Sequence, residues 1–238
     1  MSKPEEIAEF ALEWVQARAD AEDAAGIAAY LKIEERGDPS APAGVRKDAL
    51  KELHRLLKRG HPCSDEAEYL ARVEALWRPP IRELKYAAIE YARAFESEHL
   101  SPRALPLLER MIVEAGWWDL VDGLAAWLVA PLYRRARGEV RGTLERWLRH
   151  ENLWLRRSAL LAHLRHREQT DAEALFSDVL ALADEREFFI RKAIGWVLRE
   201  YSRTAPEAVR AFLLANRDRL SPLSSREAAK HLTRKESS

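Results

Sequence analysis

Residues 187–201 read EFFIRKAIGWVLREY, and their spacing sets the fold class. Apolar side chains recur at Phe188, Phe189, Ala193, Ile194, Val197, Leu198 and Tyr201, one stripe at helical period. Arg191, Lys192, Arg199 and Glu200 form the opposite, charged side. Trp196 falls between the two, directly after Gly195, where core filling is a poor account of so large a ring. Working outward, the segment 117–122, Trp-Trp-Asp-Leu-Val-Asp, has the same character. A helix begun at about Leu105 and carried through it would stack Trp118 and Asp122 four residues apart on one face.

The rest of the chain follows the same helical period. Apolar stripes recur over 4–19, 22–33, 45–58, 64–77, 81–96, 120–137, 139–150, 153–166 and 171–183. Start signals punctuate them: Ser64, Ser101-Pro102, Asn152, Pro206, and Ser224 with Glu227 three residues on as a capping box. Gly37, Pro39, Pro42 and Gly44 mark a loop. No segment alternates with period two. The expectation is an all-α chain, a superhelical stack of antiparallel helix pairs of the HEAT or armadillo kind with a concave basic face. It is expected to be a single helical-repeat domain over 1–238, with residues 1–30 as variable N-terminal helices and about 233–238 as a disordered tail.

Of the 238 residues 33% are charged, yet the formal net charge is zero, so only the distribution of charge is informative. Residues 1–40 hold 4 Lys and Arg against 10 Asp and Glu, whereas 133–167 hold 10 Arg against 3 Glu. The second stretch reads as a local basic footprint or as a set of solvated helix faces, and charge alone favours neither. Cys63 is the only cysteine, which excludes a disulfide framework and a cysteine zinc cluster. His54, His61 and Cys63 lack zinc spacing, Glu96-x-x-His99 has no second copy, and there is no phosphate loop or nucleophile elbow. No metal and no cofactor is expected. With no apolar run near 18 residues and no signal peptide, a cytoplasmic, nucleoid-associated monomer that does not engage membranes is expected.

Four segments carry a resemblance: Trp117 to Asp122, Asn152-Leu153-Trp154-Leu155-Arg156-Arg157, Phe188 to Tyr201, and Ser221-Pro222-Leu223-Ser224-Ser225-Arg226-Glu227. In order and spacing they resemble the AlkD family of DNA alkylation repair glycosylases, built from HEAT-like helical repeats. The similarity runs from about Ala28 and is strongest over 105–232. The resemblance implies a monofunctional glycosylase that removes N3- or N7-alkylated, cationic purines from double-stranded DNA and leaves an abasic site. It implies catalytic roles for Asp122, Trp118 and Trp196 and DNA contacts at Arg157 and Tyr30, with Arg156, Lys192, Arg46 and Lys47 as further contacts. It also implies engagement of the lesion from the backbone side; nothing in the residues decides between that and extrusion into a pocket.

The residue types suit such a reaction. Cleavage of an N-glycosidic bond makes the sugar oxocarbenium-like, and a fixed carboxylate stabilises that charge and orients a water. A cationic base leaves without a general acid, and indole faces attract cations by roughly 0.5 to 2 kcal/mol each. Taken singly, Trp118 suits packing and Asp122 a helix-face ion pair; only the set favours a site. Trp14, Trp77, Trp127, Trp147 and Trp154 read as structural. One stretch departs from the family. Ile33 to Pro39 carries Glu34, Glu35 and Asp38 where relatives are aromatic and glycine-containing, and three acids there would repel phosphate. The alternative reading is a non-catalytic helical-repeat module that binds DNA structure or a protein.

Overall fold

In the computed structural model, which describes residues 3–232, the apolar stripes become helices, and no strand forms among the described residues beyond an isolated Ala41–Ile81 bridge. The all-α expectation holds. The tail expected at 233–238 lies outside the described residues. The chain divides into two compact units, Met1–Leu107 and Leu108–Ser238.

The first unit contains α1 (Pro4–Gln16), α2 (Ala21–Leu31), α3 (Ile33–Arg36), α4 (Lys47–Gly60), α5 (Glu66–Trp77) and α6 (Arg82–His99). Ile7, Ala11, Trp14 and Val15 of α1 are buried against α4, α5 and α6, the stripe its sequence period demands. The loop before α4 is held from beneath by Glu83, 2% exposed, whose carboxylate accepts the amides of Ala43 (2.8 Å), Gly44 (2.9 Å) and Val45 (3.1 Å). Gly44 has φ +84°, and a Cβ there would lie 2.0 Å from the Asp20 carbonyl oxygen.

Asp38 corrects the view of 33–39 as an acidic surface. Its side chain is 5% exposed and accepts from Arg36 (2.9 Å), Arg82 (2.8 Å) and both the amide (2.8 Å) and hydroxyl (2.6 Å) of Ser40. Only Glu34 and Glu35 of the three acids face solvent. A second correction is at α5, which is capped by Asp65 accepting from the Glu68 amide (2.8 Å); Ser64 instead gives its amide and hydroxyl to Glu68.

A 3-10 turn (Pro102–Ala104), N-capped by Ser101 as expected, leads into α7 (Leu105–Ala115). The second unit then has α8 (Trp118–Leu124), a π-helical turn (Ala125–Val129), α9 (Ala130–Arg135), α10 (Arg137–Leu148), α11 (Leu153–Leu161), α12 (Ala172–Ala181), α13 (Phe188–Tyr201), α14 (Pro206–Ala215) and α15 (Pro222–Ala229). Gly116 at φ +55° ends α7, and extended Trp117 caps α8, so the helix expected to run from Leu105 through Asp122 is two helices. The π turn ends two residues before Pro131, which has no N–H for the regular bond to residue 127. Asn152 caps α11 as expected, its Oδ1 accepting from Trp154 (2.9 Å) and Leu155 (3.4 Å).

Helix α15 is not opened by a Ser224–Glu227 box. Ser221 is its cap, accepting from the Ser224 amide (3.0 Å), and Ser224 donates its hydroxyl to the Arg191 carbonyl (3.0 Å). Glu227 lies 7% exposed among three cations, Lys230 (2.5 Å), Lys192 (2.9 Å) and Arg199 (3.0 Å). Lys230, and after it Lys192, hold the Glu227 carboxyl down to about 2 from the ordinary 4.5. A depressed carboxyl stabilises the fold above its unfolded value, and that contribution is lost as pH falls from about 4.5 to about 2. Thermal melts of wild type and Glu227→Gln should therefore differ most near neutrality, the gap closing between pH 4.5 and 2. A gap independent of pH would remove Glu227 from the acid response.

Candidate active site

Helix α8 begins with Trp118, and one turn later Asp122 follows on the same face. The spacing expected from sequence is kept, on a shorter helix. The buried Leu120, Val121 and Leu124 anchor α8 and leave Trp118 and Asp122 half-buried at its edge. Arg157, on α11 and only 4% exposed, closes on Asp122 with two parallel bonds, Nε to Oδ1 and Nη2 to Oδ2, both 2.8 Å. Its Nη1 donates to the Phe189 carbonyl at 2.5 Å, in the first turn of α13. One guanidinium thus joins α8, α11 and α13.

Burial pushes the Asp122 carboxyl above the ordinary aspartate value, and the Arg157 bonds offset part of that rise. The two bonds use one acceptor site on each carboxylate oxygen, and each oxygen retains a second. An aromatic box supports the pair. The Phe189 ring lies 5.2 Å from Trp117 and 5.0 Å from Trp154, and those two indoles are 5.7 Å apart, edge to face. Arg157 sits 5.9 Å from the Phe189 ring.

Trp196 is seven residues beyond Phe189 on α13, which is two turns along the same face and about 10 Å further on. It lines a cleft of about 710 Å³ with Glu200, Arg134 and the turn of residues 164–169. The helix that receives Arg157 at one end therefore presents Trp196 at its middle.

The family profile for DNA alkylation repair enzymes matches residues 11–232, nearly the whole chain. This chain belongs to the DNA alkylation repair enzyme family. Among solved structures, a predicted DNA alkylation repair enzyme from Enterococcus faecalis is 29% identical with a TM-score of 0.78, over 90% of this chain and 97% of that one. AlkD2 from Streptococcus mutans is 16% identical with a TM-score of 0.60 over 85% of this chain and 97% of that one. The protein smu.31 from Streptococcus mutans UA159 has the same identity and coverages, with a TM-score of 0.58. These last two likenesses speak to the fold alone. No curated protein matches.

Within this family frame, the other expected DNA contacts differ in availability. Arg156 is not displayed: 14% exposed, it donates to the carbonyls of His150 and Glu151 (both 2.7 Å) and lies 2.8 Å from Glu185. Through these bonds it staples the turn before α11. The Lys192 ammonium is turned toward Glu227. Arg157 itself is an interior residue whose donors face Asp122 and Phe189. In the first unit, Tyr30 is 73% exposed on α2, outside the core. Arg46, the cap residue of α4, extends into solvent beside Asp23 (2.7 Å), and Lys47 is exposed next to it.

Residues 188–190 also revise the opening stripe. Ile190 is fully buried, whereas Phe188 is 54% exposed and rests its edge on Phe189 at 5.3 Å. Sequence reasoning missed the aromatic box because Trp117, Trp154 and Phe189 come from three distant segments. Three large aromatics, each beginning or preceding a helix, were the only signal.

Proposed function

We propose that this family member is a DNA glycosylase that hydrolyses the N-glycosidic bond of N3- or N7-alkylated purines in double-stranded DNA and leaves an abasic site. The observation that carries this reading is the Asp122 carboxylate, half-buried one helical turn from Trp118 and gripped through both oxygens by an interior arginine. A carboxylate held in a fixed place at low local dielectric is what a developing oxocarbenium ion requires, since the stabilising charge then needs no reorganisation.

In the proposed reaction the bond from C1′ to the purine nitrogen breaks, and its electron pair leaves with the base, neutralising the cationic ring. A water oxygen then bonds to C1′ and gives up one proton, ending at Asp122 or solvent. The free acceptor sites of Asp122 orient that water. Arg157 acts as a positioning residue by fixing the carboxylate plane. Trp118 and Trp196 supply electron-rich faces to the cationic base and sugar. The test is release of 7-methylguanine or 3-methyladenine from methylated duplex DNA. Release by the purified chain well above the spontaneous rate supports the reading, and release at the spontaneous rate rejects it.

A further inference from the structure

The segment that follows α11, Leu164-Arg165-His166-Arg167, has no part in the chemistry above. Arg165 and Arg167 are exposed non-glycine residues with left-handed backbones, φ +66° and +52°, each costing roughly 1–2 kcal/mol. His166 between them is 3% exposed, its Nε2 2.9 Å from the Ala130 carbonyl. Burial holds its imidazole down to about 4, so near neutrality it is uncharged and donates Nε2–H to that carbonyl. Below, His163 lies 2.8 Å from Asp178, which Arg141 grips through both oxygens at 2.7 and 2.8 Å. The Gln169 carbonyl accepts from Arg137, and the Arg167 carbonyl from the Thr170 hydroxyl at 2.7 Å. The Arg165 guanidinium lies 3.2 Å over the centre of the Trp127 ring. The buried network keeps two strained residues in place, and the result is a rigid turn that displays arginines beside Trp196.

Four of the ten arginines in the basic stretch are committed to carboxylates: Arg141 to Asp178, Arg146 to Glu109, Arg156 to Glu185 and Arg157 to Asp122. Arg134 and Arg167 have no carboxylate partner among the described residues, and both line the cleft that holds Trp196. Two acids share that cleft, Glu168 and Glu200, and Glu200 lies 3.4 Å from Arg203.

We propose that Arg134 and Arg167 are a preformed phosphate-binding subsite for duplex DNA, holding backbone phosphates next to Trp196. The assignment rests on DNA being the substrate and not on the glycosylase chemistry. A phosphate contact carries no sequence or lesion information, but it fixes register.

The test is salt-dependent binding of damaged and undamaged duplexes to wild type, Arg134→Ala/Arg167→Ala, and the control Arg217→Ala, which removes an exposed arginine beside Asp218 on the 216–219 turn. The double variant should lower the slope of log K against log salt by about 2, one per phosphate contact, weakening both duplexes equally. The control should match wild type in slope, affinity and base release. An unchanged slope and affinity would overturn the subsite while leaving the proposed chemistry intact. Conversely, a reduced slope in a protein that releases no base would uphold the subsite and reject the glycosylase. Both substitutions are at exposed side chains, and a melting temperature equal to wild type shows that folding is not the cause.

Discussion

Asp122→Asn should reduce base release from methylated duplex DNA by about 100- to 1000-fold while DNA affinity stays near wild type. Removing one preorganised electrostatic group from a transition state typically costs about 2.7–4 kcal/mol. Asparagine keeps the shape and one acceptor for Arg157, whose Nε and Nη2 both bond Asp122 at 2.8 Å, so the helices stay joined. What disappears is the negative charge, and the Arg157 cation is then uncompensated beside a sugar that is itself becoming positive. The rate effect should accordingly appear in single-turnover release and not in binding. The wild-type pH profile offers an independent reading. Burial raises the Asp122 carboxyl above 3.8, so release over the spontaneous rate should decline on an acid limb centred above that value. Unchanged release by the asparagine variant would show that the charge at this position does no catalytic work, and the proposed mechanism would fall.

The helical period of 187–201 and of the other stripes is a local property, so the all-α class and the placement of Trp118 one turn from Asp122 were legible in the sequence. Local signals failed where a tertiary partner outcompeted them. Gly116 in the left-handed region breaks the expected helix before Trp118, yet the indole and carboxylate keep their spacing because both lie beyond the break. Ser224 and Glu227 have capping-box spacing, but Ser221 caps the helix and Glu227 is drawn to three cations. The excess of arginine over 133–167 suggested a basic face. Four of its neutralising acids, Glu109, Asp122, Asp178 and Glu185, all lie outside that window and arrive only on folding. For the same reason the Asp122–Arg157 pair, 35 residues apart in sequence, and the left-handed turn at Arg165 and Arg167 were not readable in advance.

Gly195→Ala should destabilise the protein, although alanine is ordinarily the better helix former by roughly 0.8–1.0 kcal/mol. Gly195 lies within α13 where α15 crosses it. A Cβ there would sit 2.3 Å from the Glu227 Cβ and 2.9 Å from the Ser224 carbonyl oxygen. Neither is the free end of a flexible side chain, so the helices must separate. Overpacking of this kind costs about 1–3 kcal/mol. With a further loss from the ion pairs converging on Glu227, a net loss of about 2 kcal/mol is expected, or roughly 4–8 °C in Tm for a chain of this length. Gly142, in the middle of α10, supplies the opposite case, since a Cβ there meets nothing within 4 Å. Gly142→Ala should therefore raise Tm, by the ordinary helix preference alone. The difference in sign between two glycine-to-alanine changes in helices separates close packing from backbone propensity. Because Gly195 immediately precedes Trp196, its substitution should also displace the indole from the cleft, and base release should fall in Gly195→Ala well below its melting transition. A variant melting at or above wild type would mean that α15 does not press on α13 as closely as the 2.3 Å approach requires.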